Sequence, residues 1–221
     1  MDAIGILTIG QSPRPDFERI FRRALPEARL IVRGALDRLS QPEIDALASS
    51  GGSYPLFTIL RDGSSREIPL AAIARLLEPC VQEVAAEGAT IAVVMCAGDF
   101  PELPSSIPVL YPGRILPAVA RGVCQKDRLD IVIPNAAQVP SAVAHWRANG
   151  FTVRAAVASP LDPDDLKRAA EMLGGAPLDP VVLDCLGFSP EAARRMRDVS
   201  GRPVLCPQRL VPAIAAEMLG A

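Results

Sequence analysis

Two apolar runs that each end in Cys-x-Gly constrain the fold of this chain most strongly. Residues 90–95 lead into Cys96-Ala97-Gly98, and residues 181–184 lead into Cys185-Leu186-Gly187. An apolar run of this length predicts a strand buried on both faces in a parallel sheet, so each cysteine is expected in the loop beyond its strand. Ligands of open α/β sheets bind outside the carboxyl ends of the strands. The two thiols are therefore the first candidates for a functional site, one from each half of the chain.

Predicted strands and helices alternate over the rest of the chain, which indicates an α/β fold with parallel sheets covered on both faces. The turn Arg61-Asp62-Gly63-Ser64 separates two extended runs and predicts a hairpin. The segment 100–107 is rich in proline and serine and is expected to link two similar α/β units.

Composition excludes several functional classes. The 221-residue chain is 49% hydrophobic and 22% charged, which is typical of a globular protein. Its net charge of −2 predicts no basic surface for nucleic acid. Its apolar runs are shorter than the ~20 residues that a membrane span needs, so no membrane is expected. The five cysteines lack the spacing of zinc ligands, so no metal is expected. The N-terminus has no signal-peptide pattern, and a cytoplasmic location with reduced thiols is expected.

The two thiol loops favour acid–base chemistry. A base on one face of a carbon atom and an acid on the other can move a proton α to a carboxylate. The glycine two residues after each of Cys96 and Cys185 would let backbone N–H groups approach a substrate carboxylate closely. Buried cysteine is also a common inert core residue, and this alternative stays open for the pair. It is the preferred interpretation for Cys80, Cys124 and Cys206.

The loop 10–14 is a candidate carboxylate site. It follows the first predicted strand and precedes a helix, where exposed N–H groups favour an anion. Gln11 and Ser12 can donate hydrogen bonds, and Arg14 can hold a carboxylate bidentately. A helix cap and a surface arginine are the structural alternative.

Four more side chains have a functional and a structural interpretation. Arg114 begins the second half as Arg14 begins the first and is a candidate carboxylate ligand. Gln138 follows a strand and could line the site or be an ordinary loop amide. Arg61 in the hairpin turn is expected to be solvated, with a lid over the site as the alternative. The only histidine, His145, is expected at the surface of a helix, which leaves no Ser-His-Asp or Cys-His arrangement.

Five motifs, spread over most of the chain, resemble the AroM family. They are Thr8-Ile9-Gly10-Gln11-Ser12-Pro13-Arg14-Pro15-Asp16, Gly34-Ala35-Leu36-Asp37, Leu60-Arg61-Asp62-Gly63, Cys96-x-Gly-x-Phe-Pro101 and Leu183-Asp184-Cys185-Leu186-Gly187. That family resembles in turn the aspartate/glutamate/hydantoin racemase superfamily, which includes amino-acid racemases, maleate isomerase and arylmalonate decarboxylase.

The resemblance implies two flavodoxin-like domains, each with three α/β/α layers around a parallel sheet, related by a pseudo-twofold axis. It implies an active site between the domains, with one cysteine from each acting as acid and base, and no cofactor. The first domain is expected to cover residues 1–103 and to be completed by the C-terminal helix 208–221. The second is expected to cover residues 104–207.

The sequence departs from the racemase pattern in two places. The first loop reads Gly10-Gln11-Ser12 where glutamate racemases carry Asp-Ser, and Ala97-Gly98 and Leu186-Gly187 stand where those enzymes carry threonine or asparagine. The substrate is therefore left open while the two-thiol plan is retained. We expect a cofactor-independent racemase, isomerase or decarboxylase acting on a small carboxylate, and a homodimer is one possible assembly.

Two alternatives remain from the sequence: a protein that binds a small molecule without converting it, and an isomerase that uses a single cysteine covalently. The expected catalytic residues are Cys96 and Cys185. The expected substrate-binding residues all lie in loops near predicted strand ends: Thr8, Gly10, Gln11, Ser12, Arg14, Ala97, Gly98, Arg114, Gln138, Leu186 and Gly187.

Overall fold

A computed structural model describes residues 2–124, 126–175 and 179–220 of the chain. Its contacts divide into two compact units. Unit 1 comprises Met1–Cys96, Phe100–Pro112 and Val211–Ala221, and unit 2 comprises Ala97–Asp99 and Gly113–Leu210. The domain boundary expected after residue 103 thus falls inside a segment of unit 1. Within the described ranges, no helix is both long enough and apolar enough to span a membrane.

Unit 1 combines a parallel sheet with a separate hairpin. Its elements are β1 (Ala3–Thr8), α1 (Pro15–Ala24), β2 (Arg29–Gly34), α2 (Gln41–Ser49), β3 (Pro55–Ile59), β4 (Ser65–Pro69), α3 (Leu70–Ala86), β5 (Ile91–Val94) and β6 (Val109–Leu110). The four parallel strands follow the order β2-β1-β5-β6, and β3 pairs antiparallel with β4. The hairpin predicted from the Asp-Gly turn is therefore confirmed.

The core of unit 1 lies between its sheet and α3. Every residue of β1 and β5 is buried, as their apolar sequences predict. Helix α3 packs onto β1 and β2. It approaches so closely that a Cβ atom on Gly5 would lie 2.5 Å from the side chain of Val84, so this strand position requires glycine.

Unit 2 contains the second parallel sheet. Its elements are α4 (Pro112–Val123), β7 (Arg128–Ile133), a 3₁₀ turn (Ala136–Gln138), α5 (Val139–Ala148), β8 (Thr152–Val157), α6 (Pro163–Leu173), β9 (Val181–Leu183), α7 (Pro190–Ser200), β10 (Val204–Leu205) and α8 (Pro207–Leu219). Helix α4 begins one residue before unit 2, and α8 continues from unit 2 into the last segment of unit 1.

The strand order in this sheet is β10-β9-β7-β8. When the strands are numbered within each parallel sheet, both sheets have the order 2-1-3-4, and the predicted α/β fold with two parallel sheets is confirmed. The strands are all parallel, but the order in which they are added reverses between the first and third strands. Flavodoxin-like sheets bind ligands at this switch point. The switch point lies between β1 and β5 in unit 1 and between β7 and β9 in unit 2.

Candidate functional site

The loop after β1 lies against the β3–β4 hairpin. A Cβ atom on Gly10 would fall 2.0 Å from the carbonyl oxygen of Ile59, so no other residue fits at this position without moving the hairpin. The Gln11 amide donates a hydrogen bond to the same oxygen at 3.4 Å. The side-chain oxygen of Gln11 accepts one from the amide of Arg61 at 2.9 Å. Gln11, a predicted binding residue, is thus held by a hairpin about 50 residues later in the chain.

The carboxylate of Asp37 anchors the next residue of the loop. It accepts hydrogen bonds from the Ser12 amide at 2.6 Å, the Ser12 hydroxyl at 2.7 Å and the Gly34 amide at 2.7 Å. A Cβ atom on Gly34 would lie 2.6 Å from the carbonyl oxygen of Gly10, so the β2–α2 turn also requires glycine. The hydroxyl proton of Ser12 is committed to Asp37, and its oxygen keeps the capacity to accept a hydrogen bond from a ligand.

Arg61 completes this network. Its side chain is 56% exposed, as expected for a hairpin turn. However, its Nε donates to the carbonyl oxygen of Ser12 at 2.8 Å, and its guanidinium lies 3.4 Å from Asp37 Oδ1. The sequence predicts no site role for Asp37 and, for Arg61, only the alternative of a lid over the site. Their positions in two of the motifs that carry the family resemblance are the signal that could have identified them.

Arg14 is turned toward its own helix. Its guanidinium holds the carboxylate of Asp16 bidentately at 2.9 and 2.6 Å, donates to the Thr8 hydroxyl at 3.3 Å, and stacks 3.7 Å from the ring centroid of Phe17. Burial acts to raise the pKa of Asp16, but the hydrogen bonds and charge of Arg14 outweigh it and the pKa is lowered. A substrate carboxylate on Arg14, which remains a prediction, would therefore compete with Asp16.

Strand β5 delivers Cys96 to the same edge of the sheet as this loop. Leu7 of β1 is in register with Val94 of β5, and the Met95 amide donates to the Leu7 carbonyl oxygen at 2.8 Å. Cys96 is a thiol of intermediate exposure that packs in part against the core of unit 1. It therefore lies at the switch point of this sheet, where the loop 10–14 also begins.

Cys185 occupies the corresponding position after β9 in unit 2. Its sulfur accepts a hydrogen bond from the Gly187 amide at 3.2 Å, and its exposure is also intermediate. The loop leads directly into α7, where Ser189 caps the helix by accepting a hydrogen bond from the Ala192 amide. The carbonyl oxygen of Leu186 is held by the side chain of Gln208 at 2.6 Å. Two predicted substrate-binding residues therefore have partners within the protein: the carbonyl oxygen of Leu186 accepts from Gln208, and the N–H of Gly187 donates to the Cys185 thiol.

Asp184 separates β9 from Cys185. Its carboxylate accepts a hydrogen bond from the indole N–H of Trp146 at 2.8 Å. Part of its surface is exposed, yet the carboxyl group is surrounded by protein, and this burial raises its pKa to about 6 against the opposing effects of Trp146 and His145. Asp184 is therefore a titratable group next to a candidate catalytic thiol.

His145 is buried, so the expectation of a surface position is wrong. Its Nε2 hydrogen-bonds to the carbonyl oxygen of Gly113 at 2.8 Å, and its Nδ1 lies 3.4 Å from Asp99 Oδ2. The side chain is only 8% exposed because it lies on the same face of α5 as Ala142 and Trp146, both of which are buried. This spacing of i, i+3 and i+4 is the signal that could have predicted its burial.

The segment after Cys96 is packed against the start of α4. A Cβ atom on Gly113 would lie 2.3 Å from the carbonyl oxygen of Gly98 and 2.8 Å from that of Ala97. Glycine is therefore required where α4 meets these two predicted binding residues. Arg114, the next residue, is exposed in the first turn of α4.

Gln138 lies in the turn after β7, at the switch point of unit 2. Its side chain is buried, and its backbone N–H donates to Asn135 Oδ1 at 3.1 Å. The Nδ2 atom of Asn135 is buried and has no hydrogen-bond acceptor among the described residues. This orphaned donor is a further polar group at the carboxyl end of β7 that the sequence argument did not select.

The other three cysteines all have raised pKa values. Burial raises the pKa of the Cys80 thiol to about 11, aided by the negative charges of Glu83 and Asp37. Burial also raises the pKa of Cys206 and, although it is only partly buried at the end of α4, that of Cys124. These groups are expected to be inert thiols at neutral pH. The described ranges contain no group of three or more His, Cys, Asp or Glu side chains suited to a metal ion.

Comparison with known proteins places the chain in a family. The family model described as "AroM protein" matches residues 4–219. No curated protein matches the chain.

Solved structures with the same fold include enzymes of several reaction types, all at low sequence identity. A glutamate racemase isoform, RacE1 from Bacillus anthracis, has 13% identity and a TM-score of 0.64, with 99% of this chain and 82% of that chain covered. Unliganded arylmalonate decarboxylase has 12% identity and a TM-score of 0.63, covering 100% and 93%. Maleate isomerase from Pseudomonas putida S16, solved with maleate, has 12% identity and a TM-score of 0.59, covering 99% and 91%. The chain therefore has the fold of racemases, a decarboxylase and an isomerase.

Proposed function

The chain belongs to the AroM family, and we propose that it catalyses proton transfer at the α-carbon of a small carboxylate with Cys96 and Cys185 as base and acid. The observation that carries this proposal is a repeated arrangement. In each unit, the third strand of a 2-1-3-4 sheet brings a Cys-x-Gly loop to the switch point of that sheet. Chains with the same fold include a racemase, an isomerase and a decarboxylase.

The chemistry needs one thiolate and one thiol. The thiolate takes the α-proton and leaves an electron pair on the carbon, conjugated with the carboxylate. The thiol then delivers its proton to the opposite face, so the substrate regains one proton and the two sulfurs exchange states. Racemisation follows if the two faces give different enantiomers. Decarboxylation forms the same carbanion by loss of CO₂, so only the protonating thiol is needed. None of these steps requires a cofactor.

Hydrogen-bond donors would stabilise the developing charge. The Ala97 and Leu186 amides are the proposed carboxylate ligands, because backbone N–H groups in such turns bind anions. The Gln11 and Ser12 amides already donate to Ile59 and Asp37. The Gly187 amide already donates to the Cys185 sulfur, which favours the thiolate at that position.

Proton exchange in heavy water tests the proposal without knowledge of the physiological substrate. The probes for proton transfer are glutamate, aspartate, hydantoins and arylmalonates, followed by ¹H NMR. Maleate, which has no acidic α-proton, tests the covalent alternative. Wild type should exchange the α-proton, or decarboxylate, at least one probe. Cys96→Ser and Cys185→Ser should each reduce the rate of racemisation by about 10³-fold or more, as expected when one of two essential acid–base groups is removed. Only the variant that lacks the protonating thiol should lose decarboxylation to the same extent. Cys124→Ser is the control variant and should react at the wild-type rate.

Two other results would assign a different function. A probe that raises the melting temperature but is never converted would indicate a binding protein. A thioether adduct on one cysteine, with the other cysteine dispensable, would indicate covalent isomerisation by a single thiol. Either result would contradict two-thiol proton transfer.

A further inference from the structure

Helix α5 contacts the segment that follows the first thiol. His145 Nε2 donates to the Gly113 carbonyl oxygen at 2.8 Å, and Nδ1 lies 3.4 Å from the carboxylate of Asp99, three residues after Cys96. Gly113 in turn lies against the Ala97–Gly98 carbonyl groups. His145 therefore contacts the 97–99 segment directly through Asp99 and indirectly through the start of α4.

The next residue on the same helix contacts the second thiol loop. The indole N–H of Trp146 donates to Asp184 Oδ2 at 2.8 Å, and Asp184 immediately precedes Cys185. Trp146 is fully buried, and its ring packs edge-on against Phe151 with centroids 5.6 Å apart. The donor is consequently fixed in direction, and the Asp184 backbone is tied to β7 by its own hydrogen bond to the Val132 carbonyl oxygen at 2.8 Å.

We propose that His145 and Trp146 act together as positioning residues for the two thiol-bearing loops, an inference that rests on the proposed function. Residues 97–99, 113, 145, 146 and 184 all belong to unit 2, so the contacts lie within one compact body. Adjacent side chains on one helix have a fixed separation, and acid–base groups need placement to within about 0.5 Å. One short helix thus gives the segment after Cys96 and the residue before Cys185 a common support.

The electrostatics of Asp184 give this support a second effect. The Trp146 hydrogen bond and the charge of His145 both favour the ionised carboxylate, against a burial that raises its pKa to about 6. Removing the indole N–H should raise that pKa further, so that Asp184 takes up a proton near neutral pH. The negative charge beside Cys185 would then be lost, and the thiolate there would form more readily.

Alkylation by iodoacetamide at pH 7, followed for each cysteine by peptide mass spectrometry, tests the inference without any substrate. In Trp146→Phe, the ratio of the Cys185 alkylation rate to the Cys96 alkylation rate should rise about threefold or more. Only the loop that carries Cys185 loses a hydrogen bond in this variant. In His145→Phe, the same ratio should fall by a similar factor, because release of the 97–99 segment raises the Cys96 rate. The lost charge of His145 acts on Asp184 less strongly than the Trp146 hydrogen bond does, so it offsets only part of this fall. His145→Gln, whose amide can still donate to the Gly113 carbonyl, should restore the Cys96 rate at least halfway.

A general loss of stability would give a different pattern. Ala142→Gly weakens the same helix one turn earlier and should leave the ratio unchanged. If both aromatic variants shift the two rates alike, or shift neither, the positioning role is overturned. If His145→Phe does not fold, Asp99→Ala removes the exposed partner of the Nδ1 contact and should move the ratio in the same direction. If the ratios of the alkylation rates shift but no probe exchanges a proton, the positioning role of His145 and Trp146 stands and the proposed function is rejected. If a probe exchanges but the ratios do not shift, the proposed function stands and the positioning role is rejected.

Discussion

The backbone amide of Gly187 donates a hydrogen bond to the sulfur of Cys185 across 3.2 Å. The loop has little room for any other residue at this position, because a Cβ atom on Gly187 would lie 3.0 Å from the ring of Pro160 and 3.3 Å from that sulfur. An N–H donor stabilises a thiolate more than a thiol. The Cys-x-Gly sequence therefore places both the sulfur and an N–H donor that favours its charged form.

We expect Cys185 to be alkylated faster than the three cysteines outside the loops. At pH 7.5, iodoacetamide should modify it at least about 10-fold faster than Cys80, because a thiol with a raised pKa has little thiolate at that pH. Peptide-resolved mass spectrometry over a time course measures the rates. Equal rates for Cys185 and Cys80 in the folded protein would contradict the role given to the Gly187 amide.

Two glycine-to-alanine substitutions should change stability in opposite directions. Gly10→Ala should lower the free energy of unfolding by about 2–3 kcal/mol, because its Cβ would lie 2.0 Å from a backbone oxygen of the hairpin. Gly122→Ala, in a helix position with nothing within 4 Å, should raise it by about 0.5 kcal/mol. Urea unfolding measures both. A neutral Gly10→Ala variant would show that the hairpin does not fix the loop.

Removing the Asp37 carboxylate should destabilise the β1–α1 loop. Asp37→Ala leaves the Ser12 and Gly34 amides without their acceptor and should cost about 2–3 kcal/mol. Asp62→Ala is the control, because it also loses hydrogen bonds to an amide and a hydroxyl, those of Ser64, but in an exposed turn. Its cost should stay below about 1 kcal/mol, since water replaces the lost partners. Equal costs would contradict the anchoring role of Asp37.

The stability of the protein should depend on the ionisation of Asp184. Its pKa is raised to about 6 in the folded chain from an ordinary value of 3.8. Between these pH values the unfolded chain releases a proton that the folded chain retains, so stability falls as pH rises through this window and the loss is complete above pH 6. The shift sets an upper limit of about 3 kcal/mol, and partial exposure makes about 1–2 kcal/mol the expected loss.

Asp184→Asn removes the titrating carboxyl group but keeps the size of the side chain. It therefore separates the effect of ionisation on stability from the effect of side-chain packing. The stability difference between variant and wild type should favour the variant by about 1–2 kcal/mol more at pH 8 than at pH 3.5. Thermal unfolding at the two pH values measures it. A difference that does not change with pH would mean that the folded protein does not perturb this carboxyl group.

The fold and the thiol loops could be predicted because their signals are local. Apolar runs such as 181–183 identify buried strands. The Asp-Gly turn identifies a hairpin, whatever that hairpin packs against. The partners of the first loop could not be derived in this way. Asp37 reaches Ser12 from 25 residues away and Arg61 from 49, and contacts at such separations depend on how the hairpin and the β2–α2 turn pack.

His145 shows a different limit. A lone histidine inside a helix and away from any strand end suggested a surface position. However, its spacing from Ala142 and its neighbour Trp146 place it on the buried face of α5. Arg14 was chosen for its capacity to bind a carboxylate. The structure gives it one, from Asp16, because the two side chains lie within reach at the start of the same helix. Residue type therefore predicted that Arg14 would bind a carboxylate, but it did not identify Asp16 as the partner.

The most direct test of two-thiol catalysis uses both enantiomers of a probe that the wild-type protein racemises. Deuterium incorporation into each enantiomer is followed by NMR in heavy water for wild type, Cys96→Ser and Cys185→Ser. Two opposed thiols predict that both variants lose racemisation, while any residual exchange is confined to one enantiomer, and to opposite enantiomers in the two variants. Racemisation that survives the loss of either cysteine would contradict the account.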